Sequence, residues 1–161
     1  MTRAPRSLQE ELKQTRPFSS PAEEALVAMM RTAALLRRAI AQRVEPYGIS
    51  PAQYNVLRIL RGAGAAGLPT LAVRARLIEE APGITRLIDK LEEAGYVRRD
   101  RTGADRRMVH CCVTASGLGL LEAMDTLVRE TTRLVSAGLP DEREQRLLIE
   151  LLGRVRTGVA G

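Results

Sequence analysis

Ala81-Pro82-Gly83-Ile84-Thr85-Arg86-Leu87-Ile88-Asp89-Lys90-Leu91-Glu92-Glu93-Ala94-Gly95 is the stretch that decides the fold. Ile84, Leu87, Ile88 and Leu91 stand at i, i+3, i+4 and i+7, which makes them one apolar face of a helix. Gly83, Thr85, Arg86, Asp89, Lys90 and Glu93 fall on the other face and are free to meet a partner. Pro82 suits the first helical position, and Gly95 suits the residue just past the end. Immediately downstream, Tyr96-Val97-Arg98-Arg99 and Met108-Val109-His110-Cys111-Cys112-Val113 read as the arms of a hairpin around the turn Thr102-Gly103-Ala104-Asp105. Arg98, Arg99, Arg101, Arg106 and Arg107 crowd the same segment against only Asp100 and Asp105. An amphipathic helix followed by a basic ribbon is suited to reading a nucleic-acid groove.

Length and composition agree with that centre. A chain of 161 residues can form one domain with a real core together with oligomerisation elements. With 45% hydrophobic but only 2% aromatic residues, the core must be built from Leu, Ile, Val, Ala and Met, which favours helix. No apolar run approaches the roughly 18 residues of a membrane span, and Arg3 and Arg6 precede no apolar segment. The expectation is a cytoplasmic protein with no membrane partner. The net charge of +6 suits a polyanion. It is carried by arginine, because Lys13 and Lys90 are the only lysines. Arginines on the outer helices read as solvated charge, whereas those between Arg98 and Arg107 are dense enough to act together.

Residues 1–19 read as an N-terminal arm, interrupted by Pro5 and Pro17. Ser20-Pro21-Ala22-Glu23 carries the N-cap, first-position proline and third-position acid of a capping box, and a wide apolar stripe follows to about Val44. Ser50-Pro51 opens the next helix, with Tyr54, Val56, Leu57 and Leu60 inward. Gly62-Ala63-Gly64-Ala65-Ala66-Gly67 lacks the lysine and hydroxyl residue of a phosphate-binding loop and reads as a flexible connector. Leu68-Pro69-Thr70 leads into a short helix with Thr70 as its N-cap, offering a helix N-terminus to a phosphate. Thr114 is expected to cap one long helix running to about Ala137, and a last helix carries Leu147, Leu148, Leu151, Leu152 and Val155.

Catalytic and metal chemistry find little support. His110 is the only histidine, so neither a metal site nor a histidine–serine pair is indicated, and no cofactor or enzymatic activity is expected. Cys111 and Cys112 are neighbours on a strand and so point to opposite faces. Cys111 shares a face with Val109 and Val113 and reads as a small core residue, whereas Cys112 shares one with His110.

Asp105-Arg106-Arg107, followed at the right separation by Val113-Thr114 and Gly117, resembles the wing motif of the multiple-antibiotic-resistance regulator (MarR) family. Pro82 to Glu92 resembles that family's recognition helix, and the likeness spans about Pro46 to Leu121. Glu79 and Glu80 depart from the small polar residues common in the helix–helix turn. The resemblance implies a mainly α fold with a small β-wing. Residues 47–114 would form a winged helix-turn-helix, and residues 20–46 and 115–161 would form helices that intertwine in a homodimer.

By the same resemblance, the chain would be a repressor that binds a pseudo-palindromic operator in double-stranded DNA and responds to a small organic effector such as a phenolic or aromatic acid. Thr85 and Arg86 would face base edges, Gly83 would admit close backbone approach, and Thr70 and Lys90 would meet phosphates. Arg101 and Arg106 would add positive charge on the wing, Arg107 would enter the minor groove, and Asp105 would pair with an arginine such as Arg99 to shape the hairpin. Three other readings stay open: a sequence-tolerant architectural DNA binder, a redox-responsive regulator using Cys111 and Cys112, and a winged helix used for protein contacts.

Overall fold

A computed structural model describes residues 7–79, 82–100 and 109–161. The segment 101–108, with Arg101, Asp105, Arg106, Arg107 and the expected hairpin turn, lies outside the described residues, as do Glu80 and Ala81. The chain divides into two compact units, Met1–Gln42 and Arg43–Gly161.

The first unit holds α1 (Leu8–Glu11) and most of α2 (Pro21–Val44). Part of the expected arm is therefore helical, because Ser7 and Glu10 close a reciprocal capping box on α1. At the start of α2, the Glu23 amide donates to Ser20 Oγ at 3.2 Å as expected. The Glu23 carboxylate, however, reaches one residue further back than a capping box does. It accepts from both the amide and the hydroxyl of Ser19, each at 2.6 Å. These bonds hold its carboxyl below the ordinary carboxylate range, the Ser19 hydroxyl bond being the largest cause.

In the second unit, Ser50 and Gln53 form a capping box on α3 (Pro51–Ala63), whose Val56, Leu57 and Leu60 are fully buried. A short 3₁₀ turn, Gly64–Ala66, follows, then β1 (Leu68–Pro69), α4 (Thr70–Arg74), α5 (Ile84–Glu93), β2 (Val97–Asp100) and β3 (His110–Val113). Ile84, Ile88 and Leu91 of α5 face this core with Val73, Val97 and Cys111. The strands form an antiparallel sheet in the order β1-β3-β2. Leu68 pairs with Cys111, and Cys111 pairs with Arg99 on its other side, so these three residues form one row across the sheet. The sequence reading gives the hairpin arms but not β1, because two residues next to a proline carry no alternation to detect.

The Gly62–Gly67 stretch is not a flexible connector in this fold. Gly64 and Gly67 take left-handed backbone angles, φ 67° and 61°. The turn sits on β3, where Ala66 O lies 3.0 Å from His110 Nδ1 and Ala65 O accepts from Cys112 Sγ at 3.7 Å. A Cβ on Gly67 would lie 2.4 Å from the Cys111 carbonyl oxygen, so only glycine allows the turn to pack this closely. This cover buries Cys112 as fully as Cys111, although it points to the opposite face.

The helix expected from Thr114 to Ala137 is two helices, α6 (Ala115–Ala123) and α7 (Asp125–Gly138). Tyr47 Oη donates to the Ala123 carbonyl at 3.1 Å, occupying the acceptor that would continue the helix. The Leu127 amide turns instead to Met124 O at 2.9 Å, and Met124 is wholly buried at the break. Arg61–Asp125 and Arg43–Glu130 ion pairs, each at 3.4 Å, add long-range ties to α7. The last helix, α8 (Glu142–Ala160), is capped by Asp141 and buries no residue.

Candidate DNA-reading face

The end of α5 fixes where β2 begins. Gly95 adopts φ 76°, its amide donates to Glu92 O at 2.9 Å, and the Tyr96 amide donates to Leu91 O at 2.9 Å. This is a Schellman stop, which turns the chain straight from the helix into the hairpin. Thr114 closes the other side. Its hydroxyl donates to Gly95 O at 2.7 Å and accepts from the Gly117 amide at 3.1 Å, so one side chain caps α6 and ties it to the end of α5. A Cβ on Gly117 would lie 2.3 Å from Tyr96 O, which is the physical reason for glycine three residues after that threonine.

The start of α5 differs from the sequence expectation. Pro82 lies before the helix, which begins at Ile84, and Gly83 is the N-cap at φ 104°. That angle is strained for any residue with a Cβ, so glycine at 83 serves the turn itself, and the space beside it is open. Upstream, the Ile78 amide donates to Asn55 Oδ1 at 3.0 Å, so α3 pins the turn that separates α4 from α5. The sequence reading did not single out Asn55; an amide residue between inward Tyr54 and Val56 gives no periodic signal.

Thr85, Arg86, Asp89 and Lys90 are all exposed on α5, which places Thr85 on the free face rather than in the core. Arg86 and Lys90 form no ion pair among the described residues. The acids on this helix are held from β2, where the Arg99 guanidinium bonds both Asp89 and Glu92. The Arg99 amide also donates to Glu92 Oε1 at 3.1 Å. The hydrogen bond to Asp89 is the largest cause raising the Arg99 pKa above its ordinary value. Arg98 pairs with Asp100 inside the hairpin, so two of the expected wing cations are already partnered, one within the hairpin and one on α5. Asp105, the partner expected for Arg99, lies outside the described residues.

Thr70 does not cap α4. The N-cap is Pro69, which offers no side-chain bond, and Thr70 is the first helical residue, its hydroxyl 3.7 Å from Cys111 Sγ. Thr70 therefore does not supply the side-chain cap expected of it at this helix start. No group of three metal-ligating side chains occurs among the described residues, and none of their helices is long and apolar enough to cross a membrane.

Three packed helices with α5 exposed along one edge, and a three-stranded sheet whose β2–β3 hairpin follows and adjoins that helix, define a winged helix-turn-helix. The MarR family model matches residues 47–108. The HTH-type transcriptional regulator PecS of Dickeya dadantii is 32% identical over 129 residues, 79% of this chain and 76% of PecS. The crystal structure of a MarR transcription factor from Planctomyces limnophilus is 34% identical, covers 85% of this chain and 98% of its own, and superposes with a TM-score of 0.64. The structure of BpsR from Bordetella bronchiseptica, described with the regulation of its DNA binding by 6-hydroxynicotinic acid, superposes at 0.73 with 21% identity, over 88% of this chain and 98% of that one. The chain belongs to the MarR family of helix-turn-helix transcriptional regulators.

Proposed function

We propose that this regulator is a homodimeric repressor that binds a pseudo-palindromic operator through α5 and the β2–β3 hairpin and leaves it when a small organic acid binds. The observation that carries the reading is the exposed Thr85–Arg86–Lys90 face, whose cations form no ion pair among the described residues while Arg99 engages the neighbouring acids. Arg86 and Thr85 contact base edges, Lys90 contacts a phosphate, and Gly83 leaves room for close approach. Arg101, Arg106 and Arg107, which lie outside the described residues, would add to the charge that meets DNA, with Arg107 in the minor groove.

The dimer is supported by large side chains left exposed on the outer helices. Leu147, Ile149 and Val155 are exposed on α8, as are Leu26 and Met30 on α2. Apolar faces of this kind are covered in an oligomer, and a two-fold dimer presents two recognition helices to half-sites about 10 base pairs apart. The organic-acid effector is supported by the description of BpsR, a fold neighbour.

Selection of bound sequences from a random duplex pool tests the reading, with sedimentation establishing stoichiometry. The expected result is a palindromic consensus bound by two chains. A pool bound without enrichment would favour the architectural alternative, and absence of salt-sensitive DNA binding would favour a protein-contact role.

A further inference from the structure

Residues 46–78, which run through α3, β1 and α4, contain four arginines and no aspartate or glutamate. Arg61 is paired with Asp125. Arg58, Arg74 and Arg76 are exposed and form no ion pair among the described residues; the contact shown for Arg58 is with the Tyr54 ring, 5.9 Å from its centroid. Arg58 and Arg76 line an open cleft of about 500 Å³ together with Ile59, Gly62 and Leu68. Ile78 adjoins the same flank. Its amide is held by Asn55, which stands one helical turn before Ile59 on α3, and its side chain is 84% exposed.

Asn55, Arg58, Ile59 and Gly62 lie on the side of α3 opposite Val56, Leu57 and Leu60, which are buried in the core that α3 shares with α5. The body of α3, about 10 Å across, stands between this flank and α5. The chemistry of the flank selects its occupant. Phosphates of a duplex would satisfy the arginines and leave Ile59 and Ile78 wet, whereas a neutral apolar surface would strip water from the guanidiniums without replacing it. A segment carrying both kinds of group satisfies both. We infer that the flank docks an acidic amphipathic segment of another protein, whose carboxylates meet Arg58 and Arg76 while its large apolar side chains cover Ile59, Leu68 and Ile78. Docking itself does not rest on the DNA-reading role of α5. Only its persistence on DNA rests on that role, since a duplex along α5 leaves the far side of α3 open.

The test uses the full chain and a fluorescein-labelled synthetic peptide that repeats Glu-Leu-Leu-Asp. One control peptide has Gln and Asn in place of the acids, and another has Ser in place of the leucines. Fluorescence anisotropy reads affinity, and amide NMR reads where the peptide sits. The acidic amphipathic peptide should bind saturably, shift the Ile59, Gly62, Leu68 and Ile78 amides, and leave those of Arg86 and Lys90 unmoved. Each control should bind at least about tenfold more weakly. Arg58→Ala, Arg76→Ala and Ile78→Ala should each weaken binding by about tenfold. Gly62→Glu should abolish it while keeping the fold, because a Cβ there meets nothing within 4 Å and the new carboxylate competes for the arginines.

No saturable binding, equal binding of either control peptide, shifts centred on Arg86 and Lys90, or unchanged affinity in Gly62→Glu would overturn the site. Random-sequence duplex added to the saturated complex separates the remaining alternative. The peptide should stay on the flank, with its shifts at Ile59 and Ile78 retained. Displacement of the peptide from those residues by duplex would assign the flank to nucleic-acid phosphates and overturn the proposal. Because the peptide titrations contain no DNA, their failure is distinct from failure of the operator-binding reading, which the selection experiment detects.

Discussion

Arg99 on β2 holds Asp89, ten positions earlier on α5, and its guanidinium also takes Glu92. Asp89 lies three residues after Arg86, the spacing at which a helix brings an acid and a base together. By engaging Asp89 from the hairpin, Arg99 draws it away from Arg86, so in the proposed complex Arg86 would meet DNA without first breaking a local ion pair. The arrangement also ties the hairpin to α5, which in the proposed complex would fix how far apart the two elements enter adjacent grooves.

Arg99→Ala should therefore weaken operator binding by about tenfold, because two carboxylates beside the phosphate backbone lose their counter-charge. The stability cost should be only about 1 kcal/mol, since the three side chains are partly exposed and solvent screens them. Adding Asp89→Asn and Glu92→Gln to that variant should recover most of the affinity by removing the repulsion. Fluorescence anisotropy at several salt concentrations makes the comparison. Wild-type affinity in Arg99→Ala would show that the cluster only supports the fold.

Arg86 and Lys90 should separate by the kind of loss they produce. Arg86→Ala should relax base preference in each half-site at a cost of about 1–3 kcal/mol per lost bidentate contact. Lys90→Ala should weaken operator and random duplex alike and reduce the log–log salt slope by about 0.9 for each phosphate released. If Arg86→Ala lowered both affinities by the same factor, its contact would be to the backbone and another residue would read the bases.

The parts of this design legible in the sequence are those that repeat or terminate locally. The apolar spacing of Ile84, Ile88 and Leu91, the Gly95 stop and the Ser50 cap each depend on a few adjacent positions, and the structure has all of them. What was hidden depends on contacts between distant residues. The α6–α7 break needs the Tyr47 hydroxyl at Ala123, 76 residues away, and the burial of Cys112 needs the Ala65–Gly67 turn laid over β3. The start of α5 was misplaced for a different reason. Proline at a first helical position and glycine at a left-handed N-cap are both good local choices, and in Pro82-Gly83 the glycine prevailed.

Two glycines on α6 give an internally controlled test of packing. Gly117→Ala places a methyl 2.3 Å from Tyr96 O, a backbone atom that cannot move without disturbing the Thr114 tie, and should destabilise by about 1–3 kcal/mol. Gly119→Ala meets nothing within 4 Å and should stabilise by about 0.5–1 kcal/mol through helix propensity. Urea unfolding of both variants decides it. Equal and favourable effects would mean that α6 does not pack against Tyr96 as closely as described.

The cysteines test the redox alternative. Cys111 and Cys112 are buried on opposite faces of β3, with Cys111 beside the Thr70 hydroxyl and Cys112 beneath Ala65 and Gly67. A thiol reagent can reach them only when the sheet opens, so native protein should react at least about a hundredfold more slowly than protein unfolded in urea. Hydrogen peroxide should leave operator affinity unchanged at concentrations that oxidise an exposed thiol. Gly67→Ala supplies the positive control, because forcing the turn away from Cys112 should accelerate labelling of that residue more than of Cys111. Mass-spectrometric labelling rates distinguish the two sulfurs. Rapid peroxide oxidation of either cysteine in the wild type, accompanied by release from DNA, would establish the redox-responsive reading instead and make the cover over β3 a gate rather than a fixed part of the wing's base.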